Sequence, residues 1–264
     1  MQSLPDVFWA TAFFLFGAVV GSFLNVVIVR LPQGKSIVRP PSHCQACGGI
    51  IRFYDNIPIL SYLLLAGRCR NCGARISPRY PLVEFATGCL CTAMYLKWGL
   101  TPAAGIFFIF CSAMVAVFWI DLDHMIIPDA ISLNGMAIGI LAAVLGLIPG
   151  VDWKLSVVGL VLGGAILYLP AVAYKRIKGV DGLGGGDIKL LAMMGTFTGP
   201  YGVIFILFVS SLIGSLGALV GVVFRRTGTA TPIPFGPFLT AAAVLYVLAG
   251  REIITHFYNV ASIF

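Results

Sequence analysis

Two groups of residues in this chain have the types and spacing to do chemistry. The first is a set of four cysteines, Cys44, Cys47, Cys69 and Cys72, arranged as two Cys-x-x-Cys pairs. Each pair can aim two thiolates at one ion. The glycine after each pair, Gly48 and Gly73, suits a tight turn that frees backbone amides to support the sulfurs. Four sulfurs fit tetrahedral zinc, and with no open coordination position the metal would be structural. The second group is acidic. Asp187 ends the stretch DGLGGGD and opens an apolar run, while Asp121, Asp123 and Asp129 cluster in VFWIDLDHMIIPDAISL. Ionisable residues at the edge of apolar segments are expensive to place and are functional candidates by default.

Two carboxyls brought together hold one proton between them, because like charges that close cannot both ionise. The ionised member can take a proton from water while the protonated member hydrogen-bonds a scissile carbonyl, so peptide hydrolysis needs no metal. Asp121 follows Phe118-Trp119-Ile120 and is expected to lie deepest in its cluster. Asp129 follows a proline, which predicts a helix N-cap. A helix N-terminus favours the anion and a C-terminus the acid, which predicts Asp187 as the base and Asp121 as the acid. Gly184, Gly185 and Gly186 allow positive φ and carry no side chains, so an extended substrate peptide can lie against that backbone beside Asp187. A phosphate-binding loop is excluded: no G-x-G-x-x-G is present and no lysine directly follows the glycines.

The elements that must position these groups are membrane helices. Of the 264 residues, 59% are hydrophobic and 10% charged, and mean hydropathy is +0.99; a soluble domain carries about a quarter charged residues. The expected fold is an all-α polytopic membrane protein with about eight spans, at 7–29, 82–96, 103–120, 130–148, 155–174, 188–199, 201–224 and 234–250. Gly199-Pro200 separates the sixth from the seventh, as a tight hairpin or one broken helix. The first run has no basic n-region and no cleavage site, so it reads as a retained span.

With the N-terminus outside, fourteen of the seventeen Lys and Arg residues fall on the cytoplasmic side, leaving only Lys97, Lys154 and Arg251 opposite. That bias predicts eight crossings with the cysteine loop and both acidic groups facing the cytoplasm. Disulfides are rare in that reducing compartment, which favours a metal over cystines. The net charge of +7 is spread over several loops, which argues against nucleic acid as a partner and for anionic lipid headgroups. The expected organisation is a first span at 1–29, a cytoplasmic four-cysteine domain at 30–81 and a transmembrane peptidase domain at 82–264. A proton-coupled transporter using Asp121 and Asp187 as relays is the competing class. It would want those acids near mid-membrane rather than near one face.

Several stretches also resemble the bacterial type IV prepilin peptidases. Gly184-Gly185-Gly186-Asp187 resembles the GxGD pattern of intramembrane aspartyl proteases. GSFLNVVIVRLP, the cysteine loop through RYPLVE, DLDHMIIPD and IPFGPFL resemble further motifs in the same order. The resemblance implies Asp121 and Asp187 as the catalytic pair, and prepilins or pseudopilins of pili or type II secretion as substrates. Their short basic leader would be cut after glycine at the cytoplasmic face of the bacterial inner membrane. It also implies N-methylation of the new terminus with S-adenosylmethionine, a function tied to the cysteine loop. Gly67 and Arg68 match a position linked to methylation, and Glu84 is expected to pair with the new ammonium. The leader itself is expected to meet Asp55, Asp123, Asp129 or Asp181.

Overall fold

A computed structural model describes residues 4–180, 184–225, 234–250 and 252–256. Among the described residues the chain is helical, with two isolated β-bridges and no longer strand. Four helical stretches are long and apolar enough to cross a membrane: Asp6–Gln33, Pro102–His124, Trp153–Lys178 and Gly185–Leu219. Asp129–Val144 and Gly236–Gly250 are shorter apolar helices. Large apolar side chains such as Phe8, Leu15, Ile109, Leu169 and Phe208 face outward. Helices of that kind suit lipid, where every backbone polar group must be satisfied within the segment. The chain divides into two compact units, residues 1–116 and 117–264.

The N-terminal unit pairs α1 (Leu4–Arg30) with α3 (Arg79–Trp98), and the connecting loop carries the short α2 (Leu60–Leu64). Small residues let the two long helices approach closely. A Cβ placed on Gly17 would stand 2.5 Å from that of Cys91, and one on Gly88 would stand 2.9 Å from the Phe14 ring. The Phe13 and Tyr95 rings stack at 4.6 Å across the same seam.

Helix α4 (Pro102–His124) delivers Asp121 in its last turn to the second unit. There α5 (Asp129–Val144) and α6 (Trp153–Lys178) hold the first arm of α7 (Gly185–Arg225). Gly163 faces the Leu191 carbonyl at a distance that leaves no room for a side chain, and Gly139 does the same against Thr196. As one rod, the 41 residues of α7 would run about 60 Å, twice the bilayer core. They do not form a rod. Gly199 leaves helical geometry at φ 67° and ψ −175°. A Cβ on Gly195 would meet the Val203 side chain at 3.0 Å. Residues eight apart in a straight helix are separated by about 12 Å, so the chain turns sharply back at Gly199-Pro200. The second arm meets α8 (Gly236–Leu245), which continues as one π-helical turn, Tyr246–Gly250. Arg226, Arg251, Asp181 and the first residue of IPFGPFL lie outside the described residues.

Candidate active site

Asp121 and Asp187 come to one place. Asp121 is buried, 5% exposed, in the last turn of α4. Its Oδ2 accepts the backbone N–H of Gly236 at 3.0 Å. That N–H is the first of α8, and the preceding Phe235 offers no side-chain cap. The Asp121 carboxyl therefore satisfies a donor that the helix itself leaves unpaired. Gly236 is required for the contact, because a Cβ there would stand 2.5 Å from the same oxygen. Asp187 lies in the first turn of α7, half-buried, with its carboxyl within electrostatic reach of that of Asp121.

The approach depends on the glycines before Asp187, in part for a reason other than the one expected. Gly185 and Gly186 are the first residues of α7 and helical, so positive φ is not what they contribute. At Gly186 a Cβ would press on Ile127 at 3.0 Å, so its missing side chain admits the α4–α5 loop. Gly184 and Gly185 are exposed, and nothing stands within 4 Å of a Cβ on Gly185. They leave open backbone beside Asp187.

Asp129 is not the helix cap expected of it. It is the first residue of α5, Pro128 takes the cap position, and the Asp129 carboxylate binds Lys189 Nζ at 2.7 and 2.9 Å. This ion pair ties the start of α5 to the turn of α7 that carries Asp187. Lys189, Ile127 and Gly236 were not legible as site residues. Only the IPFGPFL resemblance pointed to Gly236, as a stretch rather than a residue.

The four cysteines converge. The Sγ atoms of Cys44, Cys47, Cys69 and Cys72 all lie within 4.8 Å of one another, with Cys44 and Cys72 at 3.9 Å. Tetrahedral coordination with metal–sulfur bonds of about 2.3 Å sets sulfurs about 3.8 Å apart, so the arrangement fits a metal ion. The two halves are the same small hairpin twice. Cys44 N–H donates to Gly49 O and Gly48 N–H to Cys44 O, and Cys69 with Ala74 and Gly73 repeats the pattern. Gly48 and Gly73 adopt φ of 69° and 71°, the left-handed region their position in the turn demands. The amides of Cys47 and Ala46 draw the Cys44 thiol down to about 6. Cys72 goes the other way: the Ala74 amide lowers it, but contact with Cys47, desolvation, Cys69 and Cys44 together push it up to about 11. Four sulfurs this close cannot all ionise unless a cation joins them.

Glu84, Gly67 and Arg68 belong to the N-terminal unit. Glu84 is buried in α3, not solvated at a helix mouth, and its Oε2 accepts the Ile59 N–H at 2.7 Å. Gly67, buried at φ 66°, backs directly onto the Tyr62 ring, and Arg68 is exposed beside it. Of the acids expected to meet a basic leader, Asp55 is already held by Arg70 at 2.6–3.0 Å, which keeps its carboxyl below the usual range. Asp129 is taken by Lys189.

Residues 15–98 match the family model described as the bacterial peptidase A24 N-terminal domain, and residues 108–219 match the type IV leader peptidase family. A Pseudomonas aeruginosa protein named prepilin leader peptidase/N-methyltransferase is 36% identical, over 90% of each chain. An Aeromonas salmonicida protein of the same name is 35% identical, over 96% of this chain and 94% of its own. A Myxococcus xanthus protein of that name reaches 40%, over 88% of this chain and 69% of its own. No solved structure matches. With relatives this similar over nearly its whole length, the chain belongs to the type IV leader peptidase family.

Proposed function

We propose that the chain is a membrane-embedded aspartyl endopeptidase that removes the basic leader of prepilins or pseudopilins, and that it then N-methylates the new terminus with S-adenosylmethionine. The observation that carries the peptidase reading is the meeting of Asp121 and Asp187, two carboxyls from separate helices, beside open glycine backbone. In this reading the pair shares one proton. Oδ2 of Asp121 is occupied by the Gly236 N–H, so Oδ1 carries the proton that hydrogen-bonds the scissile carbonyl. Asp187 takes a proton from the attacking water and later returns it to the leaving amine. Gly184 and Gly185 receive the extended substrate backbone, and Gly186 seats the α4–α5 loop beside it.

The relatives' names support both activities for this chain. Residues 1–29 act as an anchor, 30–81 as a zinc-bound domain linked to methylation through Gly67 and Arg68, and 82–264 as the peptidase. Zinc is held by Cys44, Cys47, Cys69 and Cys72 and is structural, since four thiolates leave no position for substrate. The fold-back of α7 supports eight crossings, because it returns Arg225 to the side rich in Lys and Arg. The active site then faces the cytoplasm of a bacterial inner membrane, where basic loops meet anionic lipid.

The test is co-expression of a prepilin with wild type, Asp121→Asn and Asp187→Asn, scored by the size of the pilin. Leader removal by wild type alone is expected. Cleavage by either variant at the wild-type rate would end the reading.

A further inference from the structure

The relatives' names carry two reactions, and the aspartate pair accounts for one. The N-terminal unit, for its part, holds an open-sided cavity of about 440 Å³. That lies within the few hundred to a thousand Å³ typical of small-molecule sites. Its lining mixes apolar walls, among them Val26, Ile51 and Leu65, with polar groups such as Asn25, Tyr62 and Asn71. Glu84, 8% exposed, is part of the lining. The Ile59 N–H donates to its carboxylate at 2.7 Å, and Ser22 lines the cavity with it. Among the described residues no side-chain cation pairs with Glu84. Ile59 reaches it from a left-handed conformation at φ 63°, which costs a β-branched residue energy and persists only when its surroundings require it.

The other charges of the lining are arranged differently. Asp55 is taken by Arg70. Arg30 donates to the carbonyls of Ser36 and Pro40. Arg75 also lines the cavity. The cavity therefore presents a buried carboxyl anchored by a backbone amide with no side-chain cation paired to it, and a guanidinium that suits a carboxylate. A buried charge left without a partner is costly, and a ligand bringing positive charge offsets that cost.

We infer that this cavity is a second catalytic centre, which takes a nucleoside-bearing sulfonium methyl donor, with Glu84 as the counter-charge for the positive charge that passes from sulfur to nitrogen. The inference rests on the methylation half of the reading above. Methyl transfer forms one N–C bond with the lone pair of the neutral amine and breaks one C–S bond. The electrons of that bond go to sulfur, which becomes a neutral thioether, while nitrogen becomes a secondary ammonium that releases its proton to water. Glu84 faces positive charge before and after the transfer. Arg75 suits the carboxylate of the donor's amino-acid end.

Equilibrium dialysis of the full chain in detergent, with radiolabelled S-adenosylmethionine and separately with its thioether product, tests this without relying on turnover. Wild type is expected to bind both, the sulfonium more tightly. Glu84→Gln is expected to weaken the sulfonium about tenfold or more and the thioether less. Val26→Trp, which fills the cavity from a different wall, is expected to abolish binding of both. Thermal unfolding of each variant verifies that it folds, and a misfolded Glu84→Gln leaves Val26→Trp to decide. Unchanged donor binding in a folded Val26→Trp, or equal losses of both ligands in a folded Glu84→Gln, would overturn the inference. Leader cleavage is scored on the same wild-type preparation. Cleavage without donor binding overturns this site and leaves the peptidase reading standing.

Discussion

Asp121 Oδ2 accepts the N–H of Gly236 at 3.0 Å, and the same glycine leaves no room for a methyl group against that oxygen. The end of α4 and the start of α8 are thus joined by a single carboxyl, which caps one helix from another. Gly236→Ala is expected to displace Asp121 rather than unfold the protein. A shift of about 1 Å in a reacting group can cost roughly a hundredfold in rate. Leader cleavage by Gly236→Ala should fall by about that factor, while thermal unfolding in detergent moves little. Wild-type cleavage rates would show that the contact does not position the acid.

The α6–α7 seam is a stability element. A Cβ on Gly159 would overlap the Gly195 carbonyl oxygen. Gly159→Ala must push the helices apart, at a cost of about 1–3 kcal/mol for overpacking. Denaturant titration should show that loss. Gly105→Ala is its control, since nothing stands within 4 Å of a Cβ there.

Metal removal should act on the loop and not on the helices. The four sulfurs hold together two hairpins that have little core of their own. Chelation, or Cys47→Ser with Cys72→Ser, is expected to loosen the loop backbone and speed trypsin cleavage at the exposed Arg52, Arg68 and Arg75, while helical circular dichroism stays near its starting value. Elemental analysis of the purified protein should give one zinc per chain.

The Asp55–Arg70 pair makes the loop sensitive to acid. Hydrogen bonds from Arg70, and then its charge, hold the Asp55 carboxyl below its usual value. A carboxyl depressed on folding adds stability that is present above its unfolded pKa, about 3.9, and is lost as pH falls through the folded value. Carbon-13 NMR of labelled aspartate should find Asp55 titrating below ordinary aspartate, and Arg70→Gln should return it to the ordinary range.

Much of this was legible along the chain. Hydropathy marks helices because each must satisfy its own backbone in lipid, a local requirement readable from any window of residues. The two Cys-x-x-Cys-Gly repeats announce their hairpins for the same reason: the ligands and the turn residues are neighbours in sequence. Asp187 and Asp121 stood out because carboxyls beside apolar runs are rare and costly. The break at Gly199-Pro200 was visible as turn chemistry.

What the tertiary structure alone decided concerns partners distant in the chain. Asp129 looked like a cap, but Lys189 claims its carboxylate. Glu84 was legible only as a carboxylate expected to meet an ammonium, but α1, α3 and the loop bury it under the Ile59 amide. The glycines before Asp187 looked like a free backbone, but Gly186 is a point of close approach to Ile127. Sequence types set which groups can ionise, turn or bind a metal. Burial and charge pairing depend on which helices meet, and here glycine seams between distant segments settle that.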